Sequence, residues 1–431
     1  MDGEMNGADV DLLAGLRVVD QTGATRNGCG RFLGDLGADV VFVEPPGGSA
    51  ARRAEPIVNG VSAPFATRNM NKRSVVLDLD SDVDRADLER LLGAADIWIA
   101  SGDIGGVRTG DLDPAVVHRR LPHLVIVVLT DFGLTGPRQH WAATGLTHLA
   151  LGGQLSHSGV PDRPPFPPPG DFADESSGVQ AAWAALVAYW NRLETGVGDV
   201  LDISRHEATA QLIDPAFGSI GTAAAQAGGS KPAGRVAGIM YPIFDCADGH
   251  VRLVVLSPRQ WHGLRSWLGE PEEFVDPKFD HAGRRFRAAD RLCPLIGSLF
   301  ATLTAAEIVA EGQRRGIPVA PVLTPAEVMQ AEHFVGRGLF VDVEMGNGVI
   351  GRMPVGHVIV DGARAGWRYS APPLAGVGSA AEVIEGWSTR STDAPADQPS
   401  RRPLEVFVSS TSGSSCSAGK PAASSPIRAP M

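Results

Sequence analysis

The sequence predicts an α/β protein: a large domain built on a Rossmann-like, doubly wound parallel sheet, interrupted by a small α+β domain. Three observations carry this. Over the first 130 residues, short apolar runs alternate with amphipathic segments, the order that parallel strands joined by crossover helices require. Residues 171–208 then give a long helical period, a Gly turn and one more apolar run. A later stretch has its own strand pair and helices, so the chain leaves the first unit and returns to it.

In chain order, strands are expected at 16–20, 40–44, 74–79, 97–100 and 124–129, with helices at 29–36 and 85–92 between them. Residues 154–170 are too rich in Pro and Gly for regular structure and lead stiffly into the next helix. In that helix Val179, Ala182, Trp183, Leu186, Val187 and Trp190 recur at spacings of three and four, the stripe of a helix buried against a core. Thr195-Gly-Val-Gly198 ends it, and 199–204 reads as a strand. The large domain is expected over 10–225. The small domain is expected over 231–325, with strands near 248–255 and helices around Trp261 and Ala305. Residues 326–385 return to the large unit. From 388 to 431 the chain is rich in Ser, Pro, Ala and Arg, and it is expected to stay disordered.

At 431 residues and 43% hydrophobic, the chain can bury at least one sizeable core. A net charge of -11 argues against bulk attraction to nucleic acid or an anionic membrane. The cysteines, Cys29, Cys246, Cys293 and Cys416, show neither CxxC nor Cys/His ligand spacing, so neither a disulfide framework nor a metal site is expected. Reduced thiols fit a cytoplasmic protein. The first eleven residues lack the basic and apolar regions of a signal peptide, and no run approaches a membrane span.

Asp174 stands at the entrance of the long helix and admits two readings. As an N-cap it would accept from backbone N–H groups. As a nucleophile it would use the same donors and the positive helix end to stay ionised, and its attack on an acyl-thioester would give a mixed anhydride. Gly178, four residues on, would leave room for a bulky ligand. A rival site lies nearer the start. A strand ending at Asp20, glycines at 23, 28 and 30, a helix, and a strand ending in Glu44 are laid out like a dinucleotide-binding unit with Glu44 as the ribose-binding acid. The spacing Gly28-x-Gly30-x-x-x-Gly34 is not G-x-G-x-x-G, which weakens that reading.

Ala173-Asp174, Gly178, Arg192, Thr195-Gly-Val-Gly198 and Leu201-Asp-Ile-Ser-Arg-His-Glu-Ala208 together resemble the class III CoA-transferase family. That family includes formyl-CoA:oxalate and carnitine CoA-transferases and alpha-methylacyl-CoA racemases. Further blocks agree in the same order. They are Leu13-Ala-Gly-Leu-Arg-Val-Val-Asp20, Leu36-Gly-Ala-Asp-Val-Val-Phe-Val-Glu-Pro-Pro-Gly47, Asn69-Met-Asn-Lys-Arg-Ser-Val-Val-Leu-Asp78, Asp131-Phe-Gly-Leu-Thr-Gly-Pro137, Asp245-Cys-Ala-Asp-Gly249 and Ile317-Pro-Val-Ala-Pro-Val322. The likeness covers roughly residues 10 to 380.

The resemblance implies transfer of CoA from an acyl-CoA to a small carboxylic acid through an aspartyl-CoA thioester on Asp174. It implies CoA as substrate with no tightly bound cofactor and no metal, and an interlocked homodimer. For CoA contacts it points to Lys72 and Arg73 in the matched block and to Gly178, with Arg138 after the G-P turn, Arg108 and Ala24 as further candidates. Arg26, Arg52 and Arg53 are further cationic candidates. Some segments depart from the pattern: Ala100-Ser-Gly-Asp-Ile-Gly105 replaces E-N-F-R-P-G, Thr22 to Gly30 replaces A-G-P-x, Pro45 follows Glu44, and no Gly-rich flap stands around Val255 to Gln260. Ala143-Thr144-Gly145 stands where the racemases carry G-H-D, with His140 and His148 out of register, so transferase ranks ahead of racemase. A catalytically impaired CoA-binding or partner subunit of the same fold is the other alternative.

Overall fold

The structure, a computed structural model, describes residues 10–23, 28–102, 110–158, 163–212, 242–376 and 378–388. Its first part holds β1 (Arg17–Gln21), β2 (Asp39–Glu44), a short hairpin of β3 (Ile57–Val58) and β4 (Val61–Ser62), β5 (Lys72–Val76), β6 (Ile97–Ser101), β7 (Val125–Thr130) and β8 (Val200–Ser204). Six of these form one sheet in the order β5-β2-β1-β6-β7-β8, every pair parallel. Strand order reverses between β1 and β6. Ligands of doubly wound sheets bind beyond the carboxyl ends of the strands at that switch.

The interior strands β2, β6 and β7 read as nearly unbroken apolar runs because helices cover both faces. Val18, Ile97, Ile99, Val125 and Val127 pack against Leu33 of α1 (Gly28–Asp35) and against Ala181, Ala185 and Ala188 of α6 (Phe172–Thr195). Val19, Trp98, Ile126 and Val128 face Leu88 and Leu91 of α3 (Asp82–Ala94), with Val383 and Trp387 of the helix Ala380–Ser388. The sheet also carries the short helices α2 (Ala63–Arg68), α4 (Pro114–Arg120), α5 (Gly145–Leu151) and α7 (Arg205–Gln211).

The long helix corrects the expected stripe. Its core-facing residues are small: Ala181, Ala182, Ala185 and Ala188 are buried, whereas Trp183 is 69% exposed and Val179, Val187 and Trp190 are about half exposed. Leu186 is only partly buried. Alanines let α6 lie close to β7 and α1, and its bulky apolar residues form an outer face. Gly196, with φ of 75°, ends the helix, and its N–H donates to the Arg192 carbonyl at 2.7 Å.

A second core gathers Val251, Trp261, Phe274, Phe300, Ile308 and Val319 around a small antiparallel sheet of β9 (Ile243–Cys246), β10 (Gly249–Leu253) and β11 (Val319–Pro321). Its helices Pro258–Trp267 and Ala305–Arg315 both begin at capping boxes, Ser257 with Gln260 and Thr304 with Glu307. The chain then returns to the large sheet. Met70 packs with Val343, Met353 and Val355, and Asn71 binds the returning segment after residue 365 from both ends of its amide. Asn71 Nδ2 donates to the Gly366 carbonyl at 2.9 Å and to Asp35 Oδ1 at 2.7 Å, while Oδ1 accepts from the Arg368 N–H at 2.8 Å. Its φ of 60° is one that Asn tolerates better than most residues. The N-x-N-K-R-S block is therefore a structural hub in this chain. Most of the tail expected to be disordered lies outside the described residues.

Candidate functional site

The candidate site side chains converge at the carboxyl edge of the sheet. Parallel register pairs Thr130 with Ser204, so the next residues on each strand, Asp131 and Arg205, leave the sheet side by side. The Ser204 hydroxyl accepts from the Glu207 N–H and starts α7, which fixes Arg205 as its first residue. α7 is fastened to α6 where Ser176 Oγ and Gln180 Nε2 both donate to the Ala208 carbonyl, at 2.9 and 3.0 Å. Asp202 Oδ2 accepts from the Leu134 N–H at 2.8 Å and holds the loop after β7.

Asp174 is the third residue of α6. The N-cap reading is thus corrected: Asp171 occupies the cap position and its side chain makes no cap bond. Asp174 instead faces Arg205, with Nη2 2.5 Å from Oδ1. The other arm of the same guanidinium, Nη1, donates to Asp131 Oδ1 at 2.7 Å. His148 Nε2 lies 3.3 Å from that oxygen, and the Ala143 N–H donates to Asp131 Oδ2 at 3.0 Å. Asp131, His148, Asp174 and Arg205 are all buried. One arginine therefore joins two buried carboxylates, and His148 stands behind the second.

An aromatic layer lies against the cluster. The Phe132 ring is 5.4 Å from both His148 and His206, which stack on each other at 5.9 Å. The His206 imidazole is held below its ordinary value by burial first, then by His148 and Arg138, with Glu207 opposing. On the outer side, Asp171 and Glu175 are exposed and both pair with Arg68. Burial alone would lower the Arg68 guanidinium; its bond and attraction to Asp171, then the charges of Glu175 and Asp174, leave it raised. A cleft of about 620 Å³ opens beside this entrance, lined by Gly28, Phe32, Arg68, Asp171, Glu175 and His357 among others.

Several expected CoA contacts serve the fold instead. Lys72 is fully buried and its Nζ donates to Asp20 Oδ2 at 2.7 Å and Asn69 Oδ1 at 3.0 Å. Arg73 forms a two-pronged pair with Asp39 at 2.8 and 2.9 Å, at the opposite end of the sheet from Asp174. Gly178 makes room for α1, not for a ligand: a Cβ there would stand 3.0 Å from the Gly28 Cα. Arg52 is paired with Glu44. Arg138 remains exposed, 4.9 Å over the Trp141 ring. Ala24, Arg26 and Arg108 lie outside the described residues.

The dinucleotide layout also fails on geometry. Gly28, Gly30 and Gly34 belong to α1 rather than to a phosphate loop, and a Cβ on Gly30 would fall 2.2 Å from Asp20 Oδ2. Glu44 is engaged by Arg52, Ser74 Oγ and the Ser49 N–H, which leaves no carboxylate for a ribose. Sequence reasoning missed Arg205, Asp131 and the burial of His148. The available signal was a charged residue directly after each of two apolar strands, 131 and 205. Among the described residues, no group of three or more His, Cys, Asp or Glu is placed to hold a metal ion.

Residues 13–378 match the family model described as CoA-transferase family III. Over 347 residues the chain is 45% identical to "Probable CoA-transferase Rv1866" of Mycobacterium tuberculosis, a match covering 79% of this chain and 43% of that relative. The chain thus spans less than half the length of that relative. It is 28% identical over 321 residues to the succinyl-CoA--D-citramalate CoA-transferase of Chloroflexus aurantiacus, covering 73% of this chain and 79% of the relative. A crystal structure of a CAIB/BAIF family protein from Brucella suis aligns with a TM-score of 0.73 at 26% identity, over 87% of this chain and 99% of that one.

Proposed function

The chain belongs to CoA-transferase family III, and we propose that it moves CoA from an acyl-CoA to a small carboxylic acid through an aspartyl-CoA thioester on Asp174. The observation that carries this reading is the position of Asp174. It is a buried carboxylate in the first turn of the helix at the sheet's carboxyl edge, paired to an arginine that a second carboxylate holds in place.

In the proposed cycle, Asp174 attacks the thioester carbonyl and gives a mixed anhydride and CoA thiolate. The thiolate attacks the Asp174 carbonyl, which frees the donor acid and leaves aspartyl-CoA. An acceptor carboxylate then attacks this thioester, forming a second anhydride and releasing the thiolate. The thiolate takes the acceptor's carbonyl, and Asp174 returns as a carboxylate. The Glu175 N–H is already bonded to the Asp171 carbonyl at 3.0 Å, so oxyanion support falls to the earlier first-turn N–H groups, which lack intrahelical acceptors.

Arg205 favours transferase over racemase. A two-base racemase needs a partner facing Asp174 that gives and takes a proton, and a guanidinium does not release one. CoA would enter at the switch between β1 and β6, where the Gly23 N–H already donates to Ser101 Oγ at 3.2 Å. Arg138, Ala24 and Arg108 remain the proposed CoA contacts. We also propose a homodimer, supported by the apolar outer face of α6, and a cytoplasmic setting, supported by free thiols at Cys29, Cys246 and Cys293. The Chloroflexus relative, named for succinyl-CoA and D-citramalate, makes short dicarboxylates the first acceptors to try.

The test is Asp174→Ala assayed with a panel of acyl-CoAs and acids. A transferase loses turnover while circular dichroism shows the fold retained. Equal turnover in variant and parent would overturn the reading.

A further inference from the structure

The geometry points to Arg205 as the residue that receives the acceptor's carboxylate, and that does so only while Asp174 carries CoA. This rests on the proposed aspartyl-CoA chemistry and adds a binding site to it.

Arg205 is 3% exposed and stands between two carboxylates. Asp131 occupies Nη1. The remaining edge of the guanidinium, Nε and Nη2, presents two parallel N–H groups, the fork that binds a carboxylate through both oxygens. In the free chain that edge is half used. Nη2 contacts Asp174 Oδ1, while Nε is buried with no hydrogen-bond partner among the described residues.

Conversion of Asp174 to a thioester replaces its negative oxygen with a neutral carbonyl. The Nη2 ion pair is lost, and a buried guanidinium is left with a free edge beside the carbon that must next be attacked. Arg205 keeps Asp131, but its Nε–Nη2 edge is then buried with both donors unsatisfied, which is costly, so this state favours an incoming carboxylate. Reach is not in question, since Nη2 is 2.5 Å from an oxygen bonded to that carbon.

Acceptor attack consumes the bound carboxylate. One of its oxygens bonds to Cγ of Asp174 as the C–S bond breaks, and the electron pair leaves on CoA thiolate. The thiolate then bonds to the acceptor's carbonyl carbon, and the C–O bond to Asp174 breaks. Asp174 is an anion again and reclaims Arg205, and the new acyl-CoA has no charge at that position. Arg205 exchanges one carboxylate for another through the cycle. Free acid is therefore a weak ligand of the resting enzyme and a strong one of the intermediate.

Asp174→Asn gives a neutral side chain that matches the carboxylate in shape and, like the thioester, carries a carbonyl oxygen but no charge. Acetate, oxalate and succinate are titrated by calorimetry into the parent, Asp174→Asn and the double variant Asp174→Asn/Arg205→Gln, with circular dichroism confirming each fold. The expected result is that Asp174→Asn binds at least one acid tenfold or more tightly than the parent, and that the double variant loses the gain. No gain in Asp174→Asn, or a gain that survives in the double variant, overturns the inference.

The second arm uses Arg205→Gln alone. Its step with the acid, read as kcat/KM for the acid, is expected to fall at least tenfold further than adduct formation and release to neutral hydroxylamine fall. An equal loss of adduct formation and hydroxylamine release would make Arg205 only a positioning residue for Asp174, and would overturn the inference. A parent that forms no adduct defeats the proposed function alone, because the calorimetry still decides the carboxylate site.

Discussion

Gly28 and Gly178 meet backbone to backbone where α1 crosses the first turns of α6: a Cβ on Gly178 would fall 3.0 Å from the Gly28 Cα and 3.1 Å from the Cys29 nitrogen. Neither helix has a flexible side chain there to give way. Gly178→Ala is expected to cost about 1–3 kcal/mol by overpacking, read as a lower midpoint in urea, with an unchanged KM for acyl-CoA. Unchanged stability with a raised KM would return Gly178 to the ligand.

Lys72 and Asp20 form a buried pair in which neither side chain reaches solvent. Lys72→Met leaves the buried Asp20 carboxylate without its cation, a loss of about 3–5 kcal/mol. Lys72→Met/Asp20→Asn should recover part of it, because the stranded charge is gone. If Lys72→Met weakened acyl-CoA binding with no change in denaturation, Lys72 would be a phosphate ligand after all.

The outer face of α6 exposes Val179, Trp183, Val187, Trp190 and Leu193 in one stripe. A contiguous exposed apolar face of this kind is what a subunit interface would cover. Light scattering on the parent should give about twice the 45.2 kDa chain mass, and Trp183→Glu/Trp190→Glu should shift it downward. A parent that runs at the mass of one chain contradicts the homodimer.

His206 is held below its ordinary value near 6.5 by burial, His148 and Arg138. In the window between its lowered value and 6.5 the unfolded chain binds more protons than the folded one. Stability therefore falls as pH drops through that window and levels off below it. His206→Gln should flatten this part of a melting-temperature profile between pH 7.5 and 5, and Arg138→Gln should narrow the window by raising its lower edge. A His206→Gln profile parallel to the parent's would contradict the assignment.

Strand positions, the α1 and α3 helices and the helix carrying Asp174 were legible because period and turn chemistry are local. The face of α6 was not. The pattern Val179, Trp183, Val187, Trp190 marks an apolar stripe without saying what covers it, and here the sheet takes the alanines instead. Lys72 and Arg73 misled for a similar reason. A basic pair before a strand looks like a phosphate site until Asp20 and Asp39, each distant in sequence, are brought against it. Asp174 was legible as a candidate from its helix entrance. Arg205 was not, because its partnership depends on the register of β7 with β8.

The most direct test of Asp174 as the covalent centre is intact mass of the protein mixed with a panel of acyl-CoAs, followed by hydroxylamine and peptide mapping. The account predicts a CoA-sized adduct and, after hydroxylamine, a hydroxamate on Asp174 that names the donor. No adduct with any donor, or a hydroxamate on another residue, would contradict it.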